Sequence, residues 1–202
     1  MLLQYKLDDT INIDGTEYSL NLAFDNVLRV YDVNNDTELD LVTKVDLGLY
    51  LLLGKQPAYD NDGFLEPPIE SDVVERLEVY TNLINQLKPE AEEAEEVEDE
   101  EEFDDDYELP ELPKLFDLEV DADYIFAGFM QAYGIDLIEE QGKLHWYKFN
   151  ALLNGMPEGT RFSQVVGVRA WKKPSKSDTH EKVMYKLQQE LALPVKGEED
   201  DV

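Results

Sequence analysis

Two histidines, His145 and His180, are the only imidazoles in the chain, and there is no cysteine. The chemistry open to such a set is narrow. His145 lies between Leu144 and Trp146 in a short helical stretch, with no serine, cysteine or second histidine nearby to complete a nucleophile–base pair. It reads as a partly buried packing histidine. His180 falls in the first turn of the last expected helix and reads as solvent-exposed. Isolated histidines without thiolates do not suit zinc. The lack of cysteine removes both a disulfide framework and a thiol nucleophile, and it fits a reducing interior.

Calcium is the better metal question in so acidic a chain. Asp60-Asn61-Asp62-Gly63 resembles part of an EF-hand loop. Placing Gly63 at the sixth loop position puts Ala58 at the first and Ile69 at the twelfth, so both end carboxylates are missing. The window holding Asp117, Glu119, Asp121 and Asp123 lacks the required glycine. Gly54-Lys55 and Gly142-Lys143 lack the rest of a phosphate-binding loop, and neither a dinucleotide fingerprint nor a nucleophile elbow occurs. No catalytic residue, metal ligand or cofactor is expected.

One basic cluster, Arg161, Arg169, Lys172, Lys173 and Lys176, surrounds Trp171. It reads as a solvated face or a local partner for acidic residues of the same chain. The aromatic residues Phe126, Phe129, Tyr133, Trp146 and Phe149 fall at helical spacing. They read first as the core of a C-terminal helical unit. The sharper alternative makes them partner-binding residues lining a groove for another helix.

The elements that carry these residues flank Pro89–Leu112, where 15 residues are Asp or Glu and none is Lys or Arg. So much like charge over so few apolar side chains cannot bury enough surface to offset the entropy of ordering, so a solvated, disordered linker is expected. The chain carries 47 acidic and 17 basic residues, a net charge of −30; removing the 15 charges of the run leaves −15 on the flanks. That balance argues against a nucleic-acid binder, which needs Lys and Arg clusters, and against an anionic membrane surface. It suits basic or apolar partners. The start, MLLQYKLDDT, lacks a basic segment followed by a long apolar one, so no signal peptide is expected, and Leu47–Gly54 is too short to span a bilayer.

The fold class expected is mainly α: an N-terminal β-hairpin plus helices, the acidic linker, and a C-terminal helical unit. Asp14-Gly15 between alternating segments signals a type I′ hairpin turn. Phe24, Val27, Leu28 and Tyr31 mark one helix face, a second helix runs from about Glu38 to Leu53, and a third starts near a Ser71 cap. In the C-terminal flank, helices are expected around Ile125–Tyr133, over Leu144–Leu153, after Thr160, and from Asp178, which forms a capping box with Glu181. The expected domains are 1–88, the linker 89–113, the helical unit 114–194, and an acidic tail 195–202.

The strings Asp121-Ala-Asp-Tyr-Ile-Phe-Ala, Tyr133-Gly-Ile-Asp-Leu-Ile, Leu144-His-Trp-Tyr-Lys-Phe-Asn-Ala-Leu-Leu-Asn-Gly-Met-Pro and Phe162-Ser-Gln-Val-Val resemble a family of tail proteins from bacteriophages and prophages of Gram-positive hosts. Leu28-Arg29-Val30-Tyr31-Asp32 also fits it. Such proteins are usually encoded just before the tail tape-measure protein. The resemblance implies a non-enzymatic tail assembly chaperone of the host bacterial cytoplasm. Its partner would be the tape-measure protein, with the major tail protein or a second tail chaperone as further candidates, and neither nucleic acid nor membrane. The rival readings are a minor structural tail protein of the virion and an acidic DNA mimic that inhibits a host protein. The acidic run exceeds the family pattern.

Overall fold

The computed structural model describes residues 9–87, 115–172 and 181–194. The expected linker, the acidic tail, His180, Lys173, Lys176 and the Asp178 cap lie outside the described residues. What is described is mainly helical, with one antiparallel hairpin. It divides into two compact units: 9–87 with Glu140–Ala151, and 115–139 with 152–172 and 181–194.

The first unit opens on strands β1 (Thr10–Ile13) and β2 (Thr16–Ser19), paired with Ile13 opposite Thr16. Asp14 and Gly15 take φ 49 and 80, the two left-handed positions that a type I′ turn requires. Three helices follow: α1 (Phe24–Asn35), α2 (Leu41–Leu52) and α3 (Val73–Leu87). α2 starts later than its apolar spacing suggests. The Asp40 carboxylate accepts from the Val42 and Thr43 N–H groups and so fixes the first turn there. The Thr43 hydroxyl also donates to it, and that bond is the main reason the Asp40 carboxyl is held below its ordinary range.

The cap of α3 is Asp72, whose Oδ1 accepts from Glu75 N–H, and not the expected Ser71. Ser71 N–H donates to Ile69 O and its carbonyl accepts from Arg76 Nη1, so the chain turns one residue later. The Ser71 hydroxyl is buried with no partner among the described residues.

α1 and α2 run antiparallel. Asn26 Nδ2 donates to Leu51 O at one end, and Lys44 Nζ donates to Asn34 O at the other. Val27, Val30, Leu49 and Leu52 fill the space between them with no more than trace exposure. α3 closes on α2 through a buried pair, Arg76 Nε donating to Asp46 Oδ1 at 2.6 Å, and through Gly48. A Cβ on Gly48 would fall 2.4–2.5 Å from ring atoms of Tyr80. That ring is buried, and its hydroxyl donates to Asn34 Oδ1 at 2.7 Å; burial pushes its phenol up to about 12. Because the ring is buried and its hydroxyl is held by Asn34, Gly48→Ala should destabilise the protein by about 1–3 kcal/mol, read as a lowered urea midpoint with unchanged slope.

The second unit contains α4 (Ala122–Tyr133), α6 (Arg161–Ala170) and α7 (Glu181–Glu190). Gly134 caps α4 in the left-handed conformation, and the Thr160 hydroxyl caps α6 by accepting from Ser163 N–H. α4 and α6 approach closely at Gly128, where a Cβ would meet Met156 Sδ at 2.4 Å and Phe162 Cβ at 3.3 Å. Ile125, Phe129, Leu153, Phe162 and Val165 are buried.

The division between the units falls inside α5 (Trp146–Asn154). Phe24 N–H donates to Leu144 O at 2.9 Å and Trp146 N–H donates to Leu22 O at 2.7 Å, an antiparallel bridge between Ala23 and His145. Thus 140–151, which sequence order places in the C-terminal flank, completes the core of the first unit.

Candidate functional site

The five aromatic residues singled out above separate into different environments. Trp146 and Phe149 belong to the first unit, at 0% and 2% exposure. Phe149 stacks on Phe24 with centroids 4.9 Å apart and on Trp146 at 5.7 Å, while Tyr31 meets Trp146 edge-on. The indole Nε1–H donates to Leu87 O at 2.8 Å. Phe129 is fully buried in the second unit, against the edge of Tyr133. All three of these buried rings perform core packing, and a partner would reach them only by opening that core.

Phe126 and Tyr133 differ. Both are half-buried on α4, and the Tyr133 hydroxyl donates to Leu152 O. Met130 lies one turn from each, at positions i+4 and i−3, and is 44% exposed. Phe126, Met130 and Tyr133 therefore share one face of α4 that stays accessible. α7 is amphipathic yet has no fully buried side chain, and Val183 and Tyr185 are exposed on it. In the first unit, Leu41 and Val74 stand exposed in the opening turns of α2 and α3.

The basic cluster does not form a solvated face throughout. The Arg169 side chain is largely out of water: Nη1 and Nη2 donate to the two oxygens of Asp121 at 2.5 and 2.8 Å, Nη1 also donates to Leu115 O, and Nε donates to Leu191 O. Arg161 is exposed and lies over the Tyr124 ring at 5.7 Å. Trp171 packs edge-on against Tyr185.

His145 is largely buried and anchored. Its Nδ1 accepts from Tyr147 N–H, so in the neutral ring Nε2 carries the proton and donates to Asp9 Oδ1 at 2.8 Å. Burial, with the Asp9 charge second, raises the neighbouring Tyr147 phenol. No nucleophile joins this set; its bonds tie 140–151 to the start of the hairpin. The Asp60 carboxylate is also committed locally, accepting from the Asp62 and Phe64 N–H groups. Among the described residues, no group of three or more His, Asp or Glu is arranged to hold a metal ion. No helix there is long and apolar enough to cross a membrane.

The family model described as Bacteriophage Gp15 protein matches residues 3–193. The chain belongs to that family. The Gp15 match takes in residues of both units. No curated protein and no solved structure matches the chain.

Exposed aromatic residues of this Gp15-family chain that the aromatic spacing missed include Tyr185 on α7 and, most exposed, Tyr59 and Phe64, which flank the Asp60–Gly63 turn. The signal lies in the sequence: aromatic residues stand on both sides of the Asp62-Gly63 turn dipeptide, in a stretch whose spacing fails that of an EF-hand loop.

Proposed function

We propose that this bacteriophage protein is a non-enzymatic tail assembly chaperone that binds and solubilises the tape-measure protein while a long tail is built. What carries the reading is a pairing of opposites. Large apolar side chains stand exposed on helices of both units, at Leu41, Val74, Met130 and Val183, in a chain of net charge −30. Exposed apolar helix faces can cover the apolar faces of a long helical partner. Surplus negative charge keeps the covered complex soluble by repulsion. Met130 is an adaptable contact, because an unbranched thioether side chain fits many shapes. The face formed by Phe126, Met130 and Tyr133 is the contact surface proposed in the second unit.

The test is co-expression with the tape-measure protein of the same phage genome. The expected result is a tape-measure protein that is soluble only when this protein is present, the two eluting together from an affinity column. Mass spectrometry of finished particles should then find this protein missing. A tape-measure protein that stays insoluble, with nothing co-purifying, would overturn the reading; detection in purified particles would favour a minor structural tail protein.

A further inference from the structure

We infer that the 56–66 segment is a preformed aromatic arm that inserts into an apolar cleft between partner helices, a cleft rimmed by lysine or arginine. The inference rests on the chaperone reading and names the surface through which the first unit acts.

The arm is a miniature hairpin. Glu66 N–H donates to Ala58 O at 2.9 Å, Tyr59 bridges Leu65, and Asp60 N–H donates to Phe64 O at 2.9 Å. At the tip, Asp60 Oδ1 accepts from both Asp62 and Phe64 N–H at 2.9 Å, and Gly63 takes φ 87. At the base, the hydroxyl of buried Tyr50 donates to Glu66 O and accepts from Ala58 N–H. The loop is thus fixed from tip to base without burying its own aromatic rings. Tyr59 is 62% exposed, and Phe64, at 72%, is the most exposed large apolar side chain among the described residues.

Strand alternation decides the shape of the partner. With Tyr59 opposite Leu65 and Asp60 opposite Phe64, the Tyr59 and Phe64 side chains leave opposite faces of the ribbon. A flat helix face would cover one of them. Only a cleft buries both. Charge decides its rim. From Gln56 to Glu75 there is no Lys or Arg, while Asp60, Asp62, Glu66 and Glu70 lie in that stretch, Asp60 next to Tyr59 and Asp62 two residues before Phe64. The same charge argues against a second copy of this chain, whose flanks are themselves strongly acidic.

The experiment uses the full chain and the co-expressed tape-measure protein, comparing wild type with Tyr59→Ser, Phe64→Ser and the double variant. Because both rings are exposed, all variants should melt like wild type. Each single variant should weaken binding about tenfold and the double variant about a hundredfold, as expected for aromatic anchors buried in a partner. Ile138→Ser, an exposed apolar residue outside the arm, is the control and should bind like wild type. If wild type itself fails to hold the tape-measure protein, the chaperone reading falls and takes this partner with it. If wild type binds and the double variant binds equally, the arm is overturned while the chaperone reading stands. Loss confined to one ring overturns the cleft, and an equal loss with Ile138→Ser overturns a specific arm. Wild-type dimers that the double variant dissolves would assign the arm to a second copy instead.

Discussion

Replacing Trp146 by alanine should cost about 3–5 kcal/mol of folding free energy, the range for emptying a large aromatic site in a packed core. The loss has three parts. The indole is fully buried, so its removal leaves a cavity that the rigid α1 and α3 backbones cannot collapse to fill. Leu87 O loses the nearer of two donors, the indole at 2.8 Å, and keeps the Tyr31 hydroxyl at 3.0 Å. The ring ladder from Phe24 through Phe149 to Trp146 loses its last ring, and Tyr31 loses the ring it meets edge-on. Urea unfolding followed by far-ultraviolet circular dichroism would show the shift. A loss under about 1 kcal/mol would mean that the site refills and that α5 is not a structural part of the first unit.

The same reasoning extends to fragments. Residues 1–97 expressed alone should lack a fixed tertiary signal, because their missing partners are the backbone groups of Leu144 and Trp146 and the rings of Trp146 and Phe149. Supplying 98–202 in trans should restore that signal.

Substituting Arg169 by leucine should cost a further comparable amount, about 3–5 kcal/mol, because it strands a carboxylate rather than merely removing a contact. Asp121 is 1% exposed, and its oxygens accept from both terminal nitrogens of Arg169 and from Asp117 N–H. Water cannot reach it to compensate. Arg169 also reaches Leu115 O and Leu191 O, so one guanidinium joins the segment before α4, the end of α6 and the chain after α7. Removing both charges with Asp121→Leu/Arg169→Leu should cost less than the two single changes added together, since no charge is then left buried alone. A double-mutant cycle by chemical denaturation measures this coupling. Additive costs would show that the pair does not act as a unit.

These two residues mark how far the sequence reaches. Trp146 and Phe149 were legible as core residues from apolar spacing, but the unit whose core they fill was not. Spacing tells which face of a helix is buried and is silent on what buries it. Arg169 shows the same limit for charge: in sequence it is one of several basic residues, and only the partner it finds 48 positions earlier takes it out of water. The Ser71 expectation failed on a smaller scale: α3 begins at Val73, and the Asp72 carboxylate, directly before it, is what accepts from Glu75 N–H.

By itself the sequence determined the local elements: the hairpin at Asp14-Gly15, the helix faces, the helix that follows Thr160, and a net charge of −30. These depend on turn conformation, on 3.6-residue periodicity and on charge, all of which act within a few residues. Tertiary structure alone decided that 140–151 joins the first unit, that Asp121 and Arg169 hold the second together, and which apolar side chains remain exposed. Each of those outcomes is set by pairings between residues far apart in the chain, where burial and hydrogen bonding, not local preference, carry the free energy.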